Sequence, residues 1–378
     1  MAPRRTHVMI RGGRLSEDRG LMRASPDRTL FRDRRLRSRM DFSATRRKMP
    51  PWLPQVAGYC LSAGCLAWIL RGYPTGDLLP TIRALDWRWV TLAVAADLAV
   101  YVAHAWRWNT LLAPVARLSL WRTVQAIYIG LFANEALPLR TGELIRCYLL
   151  AHWNDLRISL SLASAAVERL IDGIWMMAAF LITASFVRGI PWRLTLLVEA
   201  LGALLVLGAM ALVWIVLHKQ RVHAAVSEGR WAATFRHVIE GLHLMGNPRT
   251  VGWTSLLSLL YLALQVLSLY ALMKADGLDY SFWVAGGVLA LVRLATVAPS
   301  APGNVGILQV ACVEALRLFE MDKNEAKTFS FIMYVAWTLP LLAGGAIALA
   351  LAGVNLGDVH DRARRGFHLA RVPGHGKR

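Results

Sequence analysis

The sequence predicts an all-α integral membrane protein, a polytopic helical bundle with an inverted-repeat-like organisation. Of its 378 residues, 56% are hydrophobic and only 18% are charged, whereas a soluble globular protein carries about 25% charged residues. The apolar residues are gathered into long runs, and a helix needs a run of about 20 residues to cross a hydrocarbon core roughly 30 Å thick. A buried soluble core does not account for so many long runs.

Ten apolar segments follow one another along the chain. They lie at about 53–70, 89–106, 120–137, 143–152, 159–187, 194–217, 250–273, 281–298, 303–319 and 328–353. Six are long and uninterrupted enough to cross outright, while the other four form two pairs, each split by a Pro/Gly break. A simple hydropathy count gives about eight spans. We predict six crossing helices plus two re-entrant hairpins of opposite orientation.

The two breaks share a Pro-x-x-x-Gly spacing. The first contains Pro138 and Gly142, and the second contains Pro299 and Gly303. Proline removes a backbone donor and glycine permits a chain reversal, so both sites favour an interrupted helix. Interrupted helices in corresponding halves of a membrane protein are typical of a transporter site built from half-helices.

The net charge of +19 is concentrated at the chain ends, which argues against a nucleic-acid partner. Residues 1–50 contain 14 Arg and one Lys against five acidic residues, and the chain from Val354 onward is again basic. Basic flanks mark the cytoplasmic side of transmembrane helices. If each broken pair is a hairpin, basic loop 218–249 also lies in the cytoplasm and acidic loops 274–280 and 320–327 lie outside. We therefore predict a bacterial cytoplasmic (inner) membrane protein with both termini in the cytoplasm.

The domain organisation follows from the same composition. Residues 51–355 form the membrane domain, and residues 356–378 form a basic cytoplasmic tail. Residues 1–50 contain too little apolar surface to fold alone and are predicted to be disordered. They either bind anionic headgroups or precede a true start at Met40 or Met49. The four cysteines have no disulfide or metal-ligand spacing, and no cofactor or metal is predicted.

Ionisable residues inside the apolar segments mark the candidate site, because each costs about 2.5–3.5 kcal/mol at the bilayer centre. They concentrate at the first break and in the following span: Glu135, Arg140, Glu143, Arg146, Glu168, Arg169 and Asp172. Spacings of three and four place Glu143 with Arg146, and Glu168 with Asp172, on shared helix faces. Four further ionisable residues are more scattered: Asp97, Glu199, Arg293 and Glu314.

Two interpretations of this cluster stay open. The charges either form buried ion pairs that lock helices together, or line a polar cavity with surplus guanidinium for a lipid phosphate, which arginine binds in a bidentate fashion. The glycines of Gly303–Gly306 either open a helix N-terminus for an anion or form a tight packing turn. An interfacial aromatic belt is expected to contain His104 and five tryptophans: Trp87, Trp89, Trp106, Trp108 and Trp121. Asp97 is a further functional candidate.

Three motifs in order resemble the lysylphosphatidylglycerol synthase transmembrane family, which includes the membrane half of the aminoacyl-phosphatidylglycerol synthase/flippase. They are Asn134-x-x-x-Pro-x-Arg-x-Gly-Glu-x-x-Arg146, Glu168-Arg-x-x-Asp172 and Pro299-x-x-Pro-Gly-x-x-Gly306. The resemblance covers about residues 85–350 and implies a flippase-like fold. It also implies a lipid path lined by Arg140, Glu143, Arg146, Glu168, Arg169, Asp172, Gly303 and Gly306.

The chain departs from the family pattern at two positions. Asn304, which we include among the substrate-path residues, stands where family members often have a second glycine. Gln309 stands where many have glutamate, which puts any proton-coupling role at that position in doubt. About 25 residues follow the last span, too few for a soluble aminoacyl-transferase domain, so we do not expect this chain to make the aminoacylated lipid.

The sequence therefore favours a transporter that moves an anionic or aminoacylated phospholipid, or another phosphate-bearing membrane lipid. One alternative is an integral-membrane transferase with Glu168 or Asp172 as general base, although no DxD, HExxH or GxSxG motif is present. Another is a membrane partner subunit of a separate lipid-modifying enzyme.

Overall fold

The structure, a computed structural model, describes residues 53–71, 78–137, 141–186, 245–296, 301–354 and 356–357, together with scattered positions between 196 and 214. These segments are helical, and no β-strand occurs among them. The principal helices are α1 (Leu53–Leu70), α2 (Leu78–Ala84), α3 (Trp87–Leu112), α4 (Leu120–Ala136), α5 (Gly142–Trp153), α6 (Ile158–Phe186), α7 (Pro248–Ala275), α8 (Phe282–Ala295), α9 (Ile307–Arg317) and α10 (Lys323–Ala352). A 3₁₀ turn, Pro302–Asn304, precedes α9.

Short polar side chains define where the long helices begin. The Asp86 carboxylate accepts the Arg88 N–H at 3.0 Å before α3, and the Asp322 carboxylate accepts the Asn324 N–H at 2.7 Å before α10. Asn247 caps α7 in the same way and is followed by Pro248, whose missing N–H costs nothing in the first turn. Helix α10 ends at Gly353, which adopts a left-handed φ of 62°.

Contacts between helix termini define two ends of the bundle. At the first, which we call the Asp86 end, the Asp86 N–H donates to the Ala275 carbonyl at 3.0 Å, so α3 and α7 run antiparallel. The Tyr280 hydroxyl donates to the Phe319 carbonyl at 3.3 Å and the Lys327 ammonium to the Arg71 carbonyl at 3.1 Å. The starts of α8 and α10 and the ends of α1 and α9 therefore lie at this end too.

The opposite end, which we call the Trp153 end, joins the termini of α3 to α6. The guanidinium of Arg122 in α4 lies 5.4 Å from the ring centroid of Trp153 at the end of α5. The indole N–H of Trp108, near the end of α3, donates to the Ser164 hydroxyl near the start of α6 at 2.8 Å. Helix α4 thus starts, and α5 ends, at the same end of the bundle.

Both Pro/Gly-broken segments are folded back as helical hairpins, although residues 138–140 and 297–300 lie outside the described part of the chain. Helices α4 and α5 pack together with both outer ends at the Trp153 end, whereas α8 and α9 pack together with both outer ends at the Asp86 end. The two hairpins therefore enter from opposite ends. Their tips meet, because a Cβ added at Gly303 would lie 2.6 Å from Oε2 of Glu135.

The described residues include three helices that are long and apolar enough to cross a bilayer, namely α3, α7 and α10. Their outward surfaces carry exposed Trp106, Leu256 and Leu339, which suits lipid contact rather than water. The predicted number of six crossings stays a prediction. The predicted count includes segment 194–217, most of which lies outside the described residues. Also outside them are most of loop 218–249, the whole of the tail 1–50 and nearly all of 356–378.

The α4–α5 hairpin depends on close backbone contact at two glycines. The Gly142 N–H donates to Oδ1 of Asn134 at 2.9 Å, which ties the start of α5 to the end of α4. A Cβ added at Gly142 would collide with the carbonyl oxygen of Gly130 and lie 2.6 Å from Oδ1 of Asn134. A side chain at position 142 would therefore separate the two helices.

We predict that Gly142→Ala lowers the unfolding free energy by about 2 kcal/mol, because the added methyl group overpacks the hairpin. Thermal unfolding of the purified protein in detergent measures the effect. Gly252→Ala is the matched control, since a Cβ there meets nothing within 4 Å and alanine favours a helix. Equal midpoints for the two variants would contradict the close-packed hairpin.

At the Asp86 end, Asp276 lies in a half-buried position just after α7. It lines a cavity of about 550 Å³ together with Pro80, Thr81 and Ala84. Burial raises the pKa of the Asp276 carboxyl from 3.8 to about 6, and the negative charge of Glu325 adds to the increase. Between pH 3.8 and about pH 6 this carboxyl group is protonated in the folded protein but ionised in the unfolded chain. The fold therefore loses stability as the pH rises through this range, and above about pH 6 the ionised carboxylate destabilises it.

Asp276→Asn should therefore raise the unfolding midpoint at about pH 8 and leave it unchanged at about pH 4. The expected gain is about 1 kcal/mol after allowance for solvent screening, measured by thermal unfolding in detergent. Asp279→Asn is the control, because Asp279 is fully exposed and its ion pair with Lys274 lowers the pKa of its carboxyl. A gain at the high pH for Asp279→Asn, or none for Asp276→Asn, would contradict this assignment.

Candidate functional site

Arg107 of α3 is the centre of a buried ionic network. Its side chain is 0% exposed, and its Nε donates to Oε1 of Glu168 at 3.3 Å. Its Nη2 donates to Oδ2 of Asp172 at 3.2 Å, and Nη1 forms a second ion pair with the same carboxylate. Nη1 also donates to the Ser258 hydroxyl of α7 at 3.1 Å. One guanidinium thus joins α3 to α6 and α7.

Arg146 of α5 forms the second buried guanidinium. Its Nε donates to Oε2 of Glu143 at 2.9 Å, one turn earlier on the same helix. Its Nη1 lies 3.6 Å from Oε2 of Glu168 and 2.9 Å from Nε2 of His104. The guanidinium carbon stands 4.7 Å from the centroid of a Trp108 ring, a favourable cation–π distance.

The network opens towards the surface through a third pair. Nη2 of Arg169 in α6 donates to Oε1 of Glu143 at 2.6 Å, so Glu143 links a buried arginine to an accessible one. The Glu143 side chain is 34% exposed and the Arg169 side chain 54% exposed, whereas Arg146 and Glu168 are 1% exposed. Accessibility therefore decreases from Arg169 through Glu143 to the buried centre.

Among the described residues, the positive and negative charges of the network are equal in number. Three arginines (107, 146 and 169) face three carboxylates (143, 168 and 172). The described residues of this network contain no surplus guanidinium, and Arg140, which the prediction also includes, lies outside the described residues. Oε2 of Glu168 has only longer contacts within this part of the chain, at 3.5 Å to Nε2 of His104 and 3.6 Å to Nη1 of Arg146, while Nη2 of Arg146 lies 2.8 Å from Oε2 of Glu143. The network is thus neutral in sum, and its least tightly bonded atom is the buried Oε2 of Glu168.

Five of the predicted site residues meet in this network: Glu143, Arg146, Glu168, Arg169 and Asp172. Arg107 is a site residue that the sequence does not predict. It lies one residue beyond the apolar run predicted at 89–106, so local hydropathy places it outside the membrane segment. Extending that run by one helical turn would have placed Arg107 on the same face as His104.

Two residues predicted for the aromatic belt are instead buried, which corrects that assignment. His104 is 4% exposed because it contacts both Arg146 and Glu168, and Trp108 is 0% exposed because its N–H bonds Ser164 and its ring covers Arg146. Trp89 is partly buried. The other predicted belt residues have exposed side chains: Trp87, Trp106 and Trp121.

The second-break residues lie at the hairpin tips. Gly303, Asn304 and Gly306 all have positive φ values, of 71°, 52° and 84°. Gly303 lies against Glu135 and the Tyr334 hydroxyl, while Gly306 lies against the α1 backbone at Ser62. The Gly306 N–H donates to the Gln309 side-chain oxygen at 2.7 Å, so this N–H is bonded within the protein.

A helical bundle with large apolar side chains on its outside and an ionic network inside defines a multi-pass membrane protein. The family comparison agrees. Residues 55–345 match the model of the lysylphosphatidylglycerol synthase TM region, and the chain belongs to this family, which confirms the resemblance of the three motifs. The chain is also similar to a UPF0104 membrane protein of Methanothermobacter thermautotrophicus, at 22% identity over 313 residues, which cover 76% of this chain and 89% of the relative.

We predict that Arg107→Met lowers the unfolding free energy by about 3–5 kcal/mol, because it leaves the Glu168 and Asp172 carboxylates without their shared partner. Thermal unfolding in detergent measures the loss. The double variant Arg107→Met/Glu168→Gln should recover part of it, since one uncompensated charge is removed. Arg317→Met is the matched control, because its exposed ion pair with Glu314 is worth less than about 1 kcal/mol. Equal losses for the two single variants would contradict a central role for Arg107.

Proposed function

We propose that this protein transports a phospholipid with an anionic or aminoacylated headgroup across the bacterial cytoplasmic membrane, with both termini in the cytoplasm. The observation that carries the proposal is the ionic network between α3, α5, α6 and α7, which is buried at its centre and accessible at Glu143 and Arg169. Family membership supports a membrane role, and the network supplies the chemistry for a phosphate.

The geometry favours substrate exchange over a purely structural lock. A set of ion pairs that only held helices together would be most stable when fully closed and hydrogen-bonded. Here Glu143 divides its two oxygens between Arg146 and Arg169, and that bridge is the exposed part. A lipid phosphate that replaced Glu143 would receive hydrogen bonds from both guanidiniums, and charge-assisted bonds of this kind are the strong ones.

The buried centre supports the next step. Arg107 and Arg146 lie on either side of Glu168, and Oε2 of Glu168 has only longer contacts, at 3.5 Å to His104 and 3.6 Å to Arg146. A headgroup that moved inward could therefore exchange partners with these groups without exposing a bare charge to hydrocarbon. An aminoacylated headgroup would also present an ammonium group to the released carboxylates.

The opposed hairpins supply the rest of the proposed passage. Irregular backbone at membrane depth persists where protein or a water-filled cavity satisfies its polar groups. We propose six crossing helices around two re-entrant hairpins, whose tips meet at Glu135 and Gly303. Gly303, Asn304 and Gly306 belong to this proposed lipid path at the tips. Arg140, which lies outside the described residues, is proposed for the same path from its place in the first motif.

We predict that Arg146→Ala and Asp172→Asn leave the protein in the membrane but reduce transport at least about tenfold, because each removes a charge-assisted partner of the network. Purified protein in proteoliposomes is assayed for movement of fluorescent phosphatidylglycerol and its lysyl ester. Arg317→Gln is the control, since Arg317 is exposed and pairs with Glu314 one turn away.

Wild-type proteoliposomes that move no lipid of a headgroup panel above protein-free vesicles would overturn the proposal, as would full transport by both network variants. Turnover of an aminoacyl or nucleotide-sugar donor, abolished in Glu168→Gln, would instead favour a transferase. Activity that appears only after co-purification with a separate lipid-modifying enzyme would favour a partner subunit.

A further inference from the structure

His104 of α3 lies between opposite charges at the centre of the ionic network. Its Nε2 lies 2.9 Å from Nη1 of Arg146 and 3.5 Å from Oε2 of Glu168, and these two atoms lie 3.6 Å from each other. Three side-chain atoms from α3, α5 and α6 thus form a triangle. His104 is 4% exposed and the other two residues are 1% exposed, so the triangle is shielded from bulk water.

The contact with Arg146 determines where the imidazole carries its proton. A guanidinium nitrogen only donates hydrogen bonds, so Nε2 of His104 accepts the bond from Arg146 and carries no proton. Oε2 of Glu168 then receives no hydrogen bond from the imidazole, in agreement with the longer distance of 3.5 Å. A proton on Nε2 would reverse both contacts, because Nε2 would donate to Glu168 and Arg146 would lose its acceptor.

The charge balance of the network makes this exchange relevant to anion binding. Three guanidiniums face three carboxylates, so a phosphodiester that enters brings one uncompensated negative charge. A buried charge is costly unless an opposite charge accompanies it. Among the described residues of the network, His104 alone gains a positive charge near neutral pH, because imidazole ordinarily titrates at about pH 6.5.

We propose that His104 takes up one proton when an anionic phospholipid binds, so that the protein moves this lipid together with a proton. The inference rests on the proposed function and deepens it, because it names the ion that accompanies the lipid. The proton binds to Nε2 of His104, which then donates to Oε2 of Glu168 instead of accepting from Arg146. Nη1 of Arg146 is released to donate to the phosphate, and the added positive charge balances the phosphate charge.

A headgroup that contains an ammonium group has a different requirement. Phosphatidylethanolamine, or a phosphatidylglycerol esterified with an amino acid that has one amine, carries one positive charge for its one phosphate. Such a headgroup enters the balanced network without changing its total charge. Its binding therefore needs no proton, and proton uptake distinguishes anionic from zwitterionic lipids.

The other titratable groups that face His104 do not replace it in this role. Four charged groups face it, and each belongs to an ion pair: Arg107 of α3, Glu143 and Arg146 of α5, and Glu168 of α6. The arginines stay charged at any relevant pH. From α7, the ring of Tyr261 lies 5.3 Å from the His104 ring, centroid to centroid, and a phenol ordinarily titrates at about pH 10.

The remaining helices packed against α3 offer no nearer titratable group. In α4, the ring of Tyr128 lies 4.8 Å from that of Tyr101, one turn before His104. Helix α10 has no titratable residue between Tyr334 and Gly353. Asp97 of α3 is buried about two turns before His104, where the Tyr101 hydroxyl donates to it. Asp97 therefore provides a control on the same helix.

The test measures binding of short-chain phosphatidylglycerol to the purified full-length protein in detergent. Tryptophan fluorescence reports binding between about pH 5 and 8, the range in which imidazole titrates. In the wild-type protein the affinity should fall as the pH rises, by up to about tenfold per pH unit, because one proton is taken up per phosphate bound. Short-chain phosphatidylethanolamine should bind with an affinity that does not change over this range. A pH indicator in weakly buffered solution should register proton uptake with phosphatidylglycerol only.

His104→Gln is the informative variant, because its amide oxygen replaces Nε2 as the acceptor for Arg146 but takes up no proton near neutral pH. It should bind phosphatidylglycerol with an affinity that is independent of pH and without proton uptake. A packing defect alone would instead weaken the binding of both lipids and leave the pH dependence in place. Asp97→Asn should keep the wild-type pH dependence. The comparison of the two lipids in the wild-type protein tests the proposal without any variant.

The inference is overturned by a wild-type affinity for phosphatidylglycerol that does not change with pH, or by a pH dependence that persists in His104→Gln. Loss of the pH dependence in Asp97→Asn would overturn it as well, since the proton would then bind Asp97. Glycerophosphoglycerol, the headgroup without acyl chains, is the second probe, and binding as tight as that of the lipid would identify a site for free phosphodiesters instead of a lipid.

Failure of this inference can be distinguished from failure of the proposed function. Proton-linked binding of phosphatidylglycerol without transport in proteoliposomes would preserve the role of His104 in binding but refute transport. Transport of phosphatidylglycerol without proton uptake would preserve the proposed function but refute the role of His104.

Discussion

The arrangement of the membrane domain depends on one constraint, the burial of the Arg107 guanidinium. A charge with 0% exposure is tolerated only when counter-ions and hydrogen-bond acceptors surround it. Glu168 and Asp172 supply the charge and Ser258 supplies a further oxygen, so α3, α6 and α7 must approach one another at a single depth. Glu168 also pairs with Arg146, and this contact positions α5 and with it the first hairpin.

This dependence explains which parts of the site could be predicted from the sequence. Charges inside apolar runs are anomalous, so Glu143, Arg146, Glu168, Arg169 and Asp172 stand out by local spacing alone. Arg107 does not, because it follows the end of an apolar run and its partners are 61 and 65 residues away. Local periodicity contains no information about such pairs. His104 and Trp108 were assigned to an interface for the same reason.

In the hairpins, too, some features follow from the local sequence and others depend on tertiary packing. Proline and glycine spacing predicts where the helices are interrupted, since the backbone chemistry is local. It does not predict that Glu135 of one tip meets Gly303 of the other, which requires the packing of α4 against the turn before α9. Gln309 shows how a departure from the family pattern is accommodated. Its amide oxygen accepts the Gly306 N–H, a bond that a carboxylate oxygen would also form, so the turn keeps its cap while losing a charge.

The two buried polar regions of α3 differ in how their charges are compensated. In the network every carboxylate is bonded to a guanidinium, so the buried charges compensate one another. Asp97, ten residues before Arg107 on the same helix, is also buried, but the Tyr101 hydroxyl bonds its carboxyl group and it forms no ion pair within the described residues. One helix thus carries a charge-balanced region and a carboxyl group without a guanidinium partner, about 15 Å apart along its axis. The two regions place different demands on packing, since the first fixes several helices around shared charges and the second is held within α3 alone.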